Sequence, residues 1–405
     1  MDVRRIRDDF PVLSRGVIYM DSAATSLKPR PVIDAMREYY EEYTENVHRG
    51  LGRLAQRATE EYEGAREAVA SLIGARPEDL VFTSGTTASV NLVAQGLSWR
   101  DGDEIVVTLM EHHSNLLPWI RASRLHGLRI RFVGLDEEGR LDMRSLEEAL
   151  TPRTRLLAIT HASNVTGVVN DVEAAARMAH DVNALVLVDG AQSVPHMPVD
   201  VRRMGADFLA FSAHKMLGPT GIGGLYVSEA ARGELSPPWL GGGIVREVKG
   251  EDYSLLDFPH NMEPGTPNIA GAIGFGAAAR YLKGIGMDSV LQHERELTEA
   301  ALRALEEVEG LRLLGPRRGE RRLGIFSFSL RDRSPDEVAV LMDEMSGIEV
   351  RSGYHCAQPL HARYGFRGTV RASLYIYNTE DEVRVMAETL NKISAAARRG
   401  RCAGA

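Results

Sequence analysis

Two short apolar runs, each ending in residues that can do chemistry, limit what this chain can fold into. They occupy residues 185–188 and 208–211 of the stretch LVLVDGAQSVPHMPVDVRRMGADFLAFSAHK, residues 185–215. Four apolar residues in succession, bounded by polar ones, fit a strand buried on both faces, as in a parallel sheet. Asp189 and Gln192 follow the first run, and Ser212, His214 and Lys215 follow the second. In an open α/β sheet, ligands sit beyond the carboxyl ends of the strands. An acid and a lysine on two such ends can therefore face each other across a bound molecule. Either residue alone reads as an ordinary loop charge, so the weight lies on the pair and on the segments around it.

Those segments repeat the pattern. Strands are expected over residues 80–83, 104–108, 130–133, 156–160 and 224–227, with helices between them, one of them from residue 171 to about 183. Such alternation predicts an α/β fold, a mostly parallel sheet flanked by helices. The Pro- and Gly-rich region 237–268 predicts irregular connections with one short hairpin. Residues 270–282 return to helix. Beyond them, 325–330 alternates like a half-buried strand, and further strands are expected over 348–351 and 370–374. Ser334-Pro335-Asp336-Glu337 and Thr379-Glu380-Asp381-Glu382 read as capping boxes that start helices. The domain reading is an N-terminal arm (1–20) packing with a small domain, a large domain (21–268) and a smaller α+β C-terminal domain (269–405). The last few residues, Cys402 included, are expected to fray.

Composition narrows the partners. A net charge of −8 argues against a general nucleic-acid or membrane-surface binder. The apolar runs are too short to span a bilayer. The first residues, MDVRRIRDDFPVL, carry charges where a signal peptide needs an apolar centre, so the expected location is cytoplasmic. The cysteines are Cys356 and Cys402, too few for a disulfide framework, and no spacing of Cys and His suggests a metal site.

The residues gathered at the strand ends suit pyridoxal 5′-phosphate, which needs a lysine for a Schiff base, an acid for its ring nitrogen and a phosphate anchor. Lys215 is the candidate lysine and Asp189 the candidate acid, with Gln192 a candidate donor to the ring O3′. Strand 80–83 leads through Ser84-Gly85-Thr86-Thr87 into a helix, whose start offers free N–H groups and a positive dipole end to a phosphate. Thr86, Thr87, Ser212 and His214 are the expected phosphate ligands, although Ser and Thr also cap ordinary helices. His112, in the loop after strand 104–108, is expected to cover the cofactor face; His113 reads as a loop residue. Cys356 lies in a loop between Gly353 and Pro359, where exposure and an adjacent His355, read as a cationic neighbour, would favour the thiolate.

Longer motifs add a resemblance. YMDSAATSLKP, NVHRG, FTSGTTASVNLVA, MEHHSNLLPW, THASNVTG, VLVDGAQSVPHMPVDV, FSAHKMLGPTGIGGLYV, PPWLGGG, EPGTPN and VRSGYHCAQPL…VRASLYIYNT carry a resemblance that runs from about Asp9 to Lys392. Together they resemble the Suf-type (group II) cysteine desulfurases, class V aminotransferase-like enzymes of PLP fold-type I. The resemblance implies that Lys215 carries the cofactor, that Cys356 accepts sulfur from L-cysteine as a persulfide, and that a protein acceptor or reductant removes it. It implies that Arg371 binds the substrate carboxylate and that Arg351 and Asn164 line the site. It further implies a homodimer in which Thr266 reaches the partner's phosphate, with His48 and Arg49 near the active-site mouth. The chain departs from the family at Tyr354, where a second histidine is usual, and at Gln358, where methionine is common. Selenocysteine lyase is the alternative reading. An aminotransferase is weaker, since it gives no reason for Cys356, and a non-catalytic scaffold is weaker still.

Overall fold

The computed structural model describes residues 1–402, with side chains described to residue 396. The last helix runs on to Cys402 where fraying was expected, and the Cys402 side chain lies outside the described residues.

The larger sheet contains β1 (Leu80–Thr83), β2 (Glu104–Thr108), β3 (Arg129–Val133), β4 (Thr154–Thr160), β5 (Leu185–Asp189), β6 (Phe208–Ser212) and β7 (Gly223–Val227). Their order in space is β1-β7-β6-β5-β4-β2-β3. Strands β2 to β6 run parallel, and β7 lies antiparallel between β6 and β1. Helices cover both faces, which is why the central strands β5 and β6 read as continuous apolar runs. Val186 and Val188 point to a core shared with α2 (Arg53–Leu72) and a long helix near residue 275. Leu187 points the other way, to a core shared with Val90 and Val93 of α3 (Thr86–Gly96) and Trp119 of α4 (Leu117–His126). The alternation places Asp189, at the end of β5, on the edge where β4 and β6 also end.

The second sheet is antiparallel, with β8 (Leu311–Leu314), β9 (Ile325–Leu330), β10 (Arg351–Gly353) and β11 (Thr369–Ser373) in the order β8-β9-β11-β10. Phe326, Phe328, Val370 and Ala372 pack there against Leu297, Val338, Met342, Met386 and Leu390 from the helices Met287–Glu306, Pro335–Ser346 and Glu380–Cys402. Both expected capping boxes form: Ser334 with Glu337, and Thr379 with Glu382. The hairpin in the Pro/Gly-rich region is Val245–Lys249 with Asp252–Leu255. The helix expected from 171 is Val172–His180, and the one expected at 270–282 is Ile269–Ile285.

One expectation changes, and two elements are new. The strand expected over 348–351 is two strands. Ile348–Glu349 pairs in parallel with Ile18–Tyr19 of the N-terminal arm, while Arg351–Gly353 pairs with β11. The helix Met287–Glu306 and strand β8 had no counterpart in the sequence reading. That helix carries its apolar stripe among many charges, and β8 is an edge strand with only Leu314 buried. Among the described residues, no helix is long and apolar enough to cross a membrane.

Candidate active site

The carboxyl ends of the parallel strands and the start of β10–β11 enclose one pocket of about 290 Å³. Every expected cofactor, substrate and nucleophile residue except Thr266 lines it, whereas His48 and Arg49, expected near its mouth, do not. Asp189 and Lys215 thus share one cavity, as the strand-end argument required.

One end of the pocket is the turn from β1 into α3. Gly85 has φ 138°, a conformation open to glycine, and an added Cβ would approach the Ser212 hydroxyl to 3.1 Å. The Ser212 Oγ accepts from the Thr86 N–H at 2.8 Å and lies 2.8 Å from Thr86 Oγ1. Thr87 Oγ1 pairs with Ser114 at 2.7 Å. Four hydroxyls therefore cluster at a helix N-terminus, where backbone N–H groups favour an anion.

Lys215 sits in the tight turn after β6, tied down through its neighbour. The His214 carbonyl accepts from Ser26 N at 2.9 Å, from the hydroxyls of Thr25 and Ser26 at 3.1 Å each, and from Lys28 Nζ at 2.9 Å. The small-residue segment after Asp21 is thus the clamp that orients the lysine. Burial lowers the Lys215 pKa to about 8 against the opposing pull of Asp189. Burial pushes the Asp189 carboxyl upward, opposed by the Ala191 N–H at 2.9 Å and by Lys215. Gln192 donates its amide to Ala23 O at 2.8 Å and leaves Oε1 buried without a protein partner.

His112 accepts from the Ser114 N–H through Nδ1 at 3.1 Å, which leaves the proton of the neutral ring on Nε2. Burial, with Lys215 nearby, lowers its pKa to about 3, so the ring is neutral. Beside it, Glu111 is fully enclosed. It accepts from Thr108 Oγ1 at 2.6 Å, Asn115 Nδ2 at 2.6 Å and the Thr160 N–H at 2.9 Å. Burial nevertheless raises its pKa to about 8.

Cys356 is exposed, on a loop from the second sheet. His355 and Cys356 have φ of 49° and 56°, a left-handed pair without glycine. Hydrogen bonds from the first sheet's loops hold it: Asn164 Nδ2 donates to His355 O at 2.8 Å, and His113 N donates to Cys356 O at 2.8 Å. One expectation fails here. His355 is not a cationic neighbour: burial and Arg371 lower its pKa to about 2, and its Nε2 pairs with Thr369 at 2.9 Å. The cations that feel Cys356 are Lys215, Arg351 and Arg371.

Arg351 and Arg371 face each other across β10 and β11. Arg371 is buried, donates to Asn164 O at 3.1 Å and to Asp21 Oδ1 at 3.1 Å, and keeps Nε unpartnered. Asp21, Glu111, Ser114, Thr160 and the small residues Ala23, Ala24, Ala162 and Ala191 are parts of this region that the sequence did not single out as functional. Both acids lie in quoted motifs directly after a strand or its loop, which was the available signal.

Thr266 is exposed and does not line its own chain's pocket. Its neighbours Gly265 and Pro267 line a separate cavity with His48, Arg49 and His260. The NVHRG and EPGTPN motifs therefore meet, but away from Lys215. There His48, Glu63 and His260 bring potential ligand atoms within 4.8 Å of one another, a grouping no sequence spacing revealed. Glu63 is already held by Arg66 Nε at 2.9 Å and His48 Nε2 at 2.8 Å, a hydrogen-bonded charge network.

The class-V aminotransferase family model matches residues 18–386. The probable cysteine desulfurase of Streptomyces coelicolor is 45% identical over 97% of each chain. The apo structure of cysteine desulfurase from Thermococcus onnurineus superposes with a TM-score of 0.94 at 43% identity, covering 97% of this chain and 98% of that one. The cysteine desulfurase CsdA from Escherichia coli gives 0.90 at 38% identity, over 97% and 98%.

Proposed function

This chain belongs to the class-V aminotransferase family and, within it, to the cysteine desulfurases, and on that premise we propose that it converts L-cysteine to L-alanine with pyridoxal 5′-phosphate, passing the sulfur to Cys356. The observation that carries the reading is one pocket lined by Asp189, Lys215 and Cys356, drawn from two sheets.

The pocket's donor set fits the cofactor. The hydroxyls of Thr86, Thr87 and Ser212, with His214, would hold the phosphate. Asp189 would pair with the ring nitrogen, His112 would cover the ring, and the unpaired amide oxygen of Gln192 marks a polar wall still lacking a partner. Lys215 would hold the aldehyde carbon. When bound, the cofactor supplies an electron sink that makes the substrate α-carbon acidic.

The chain's own residues do the rest. Arg371, whose Nε–H has no protein partner, takes the substrate carboxylate. Lys215 Nζ, with a pKa lowered to about 8, holds enough free base near neutral pH to move the α-proton. The Cys356 thiolate attacks the substrate sulfur. A sulfur–sulfur bond forms as the carbon–sulfur bond breaks. The carbon keeps that electron pair, takes a proton and leaves in L-alanine, so no external oxidant is needed. The exposed Cys356 then offers its persulfide to a protein acceptor or a reductant. A thiol that must stay free suits a reducing compartment such as the cytoplasm.

The Suf-type motifs and the meeting of NVHRG with EPGTPN away from Lys215 support a homodimer, Thr266 serving the partner's phosphate. The same reading divides the chain into an arm (1–20), a cofactor-binding domain (21–268) and a domain carrying the nucleophile loop (269–405). The test is product balance. The protein loaded with cofactor should release L-alanine and, with a reductant, sulfide in equal amounts from L-cysteine; sulfide without alanine, or neither, would overturn the proposal.

A further inference from the structure

The substrate arginine already carries a carboxylate from its own chain. Asp21 Oδ1 accepts from Arg371 Nη2 at 3.1 Å and Arg351 Nε at 3.3 Å; Oδ2 accepts from Arg351 Nε at 3.0 Å and Nη2 at 2.9 Å. The register explains the convergence. Arg351 and Arg371 are directly opposite on antiparallel strands, and Asp21 bridges in parallel to Ser373, two residues beyond Arg371. Like charges directly opposite each other repel, so this pair needs a counter-ion. Asp21 supplies it from a largely buried position. The side-on fork of Arg351 is thereby filled, while Arg371 retains its unpartnered, buried Nε. Both arginines and Cys356 line the same pocket.

We propose that Asp21 determines substrate specificity: it keeps the guanidinium of Arg351 from a second substrate carboxylate, leaving Arg371 to take one, so that the site accepts monocarboxylate amino acids and disfavours dicarboxylates. This rests on the substrate reading of Arg371 given above. Two guanidinium groups with one resident carboxylate leave one net positive charge for one incoming carboxylate. A simple counter-ion would matter for folding alone; a specificity residue changes the ratio of two affinities.

The experiment uses the cofactor-loaded protein and two amino acids that lack a sulfur to lose, L-alanine and L-aspartate, with binding read from the cofactor's absorbance. Asp21→Asn keeps the shape and removes the charge. It should raise aspartate affinity relative to alanine by about ten-fold or more, the scale on which a freed charged partner discriminates. The double variant Asp21→Asn, Arg351→Gln should cancel that gain. A ratio unchanged within about two-fold in Asp21→Asn, or a gain that survives loss of Arg351, would overturn the proposal. Should Asp21→Asn not fold, Arg351→Gln alone decides: the ratio should stay as in the parent, and a large fall would show Arg351 already open to a second carboxylate. Neither result depends on sulfide or alanine production, so failure of the desulfurase reading would register separately.

Discussion

The two sheets contribute to one pocket by opposite means. The first sheet places Asp189 and Ser212 at the ends of strands buried on both faces, and Lys215 in the tight turn just beyond, clamped through the His214 carbonyl. The second presents Cys356 on a loop with two consecutive left-handed residues, exposed and held in place by donors from Asn164 and His113 of the first sheet. Covalent binding of a cofactor calls for fixed geometry. A nucleophile that must meet substrate and then an outside acceptor calls for access. The difference in construction follows the difference in task.

Variants can break that comparison. The largest expected effect separates the two regions outright. Lys215→Ala should lose the cofactor's protein-linked absorbance, whereas Cys356→Ser should keep it and lose alanine formation from L-cysteine by on the order of a thousand-fold. Equal loss of cofactor absorbance in both would mean the regions are not separable. Next, Asn164→Ala removes the donor to His355 O and unsettles the loop. We expect alanine formation to fall about a hundred-fold, the scale of a small misplacement, with cofactor affinity kept; an unchanged rate would show that the loop holds its place without it.

A smaller effect concerns Glu111 on the rigid side. Its folded pKa of about 8 exceeds the ordinary 4.5, so the folded protein binds the extra proton between those values. Stability from this group is then present at low pH and declines as pH rises through that window. Glu111→Gln should remove this decline: the variant's melting temperature should gain on the parent's from pH 5 to pH 8, and a constant difference would contradict the assignment. The smallest effect is the pH dependence of cofactor capture by the apo-protein. Free amine is required, so the rate should rise with pH around a midpoint near 8, set by the desolvated, partly buried Lys215. A midpoint near the ordinary lysine value would place the amine in water.

What the sequence disclosed follows the same division. Asp189 and Lys215 were legible because an apolar run followed by a polar residue is a local pattern with a local consequence. Capping at residues 334 and 379 was legible for the same reason. The ion cluster of Asp21, Arg351 and Arg371 was not, because it depends on register between segments some 350 residues apart in the chain. His355 was misread as cationic because adjacency to Cys356 says nothing of burial beside Thr369 and Arg371. The strand expected at 348–351 was split by a partner, the N-terminal arm, that no local window contains.

In the proposed reaction a lysine-and-acid site on one sheet delivers sulfur to a thiol on the other. Mass analysis of the peptide containing Cys356, after the cofactor-loaded protein has met L-cysteine without reductant, tests it most directly. One added sulfur atom on Cys356, absent from protein lacking Lys215, is the expected result. An unmodified Cys356 peptide in protein that has formed L-alanine would contradict it.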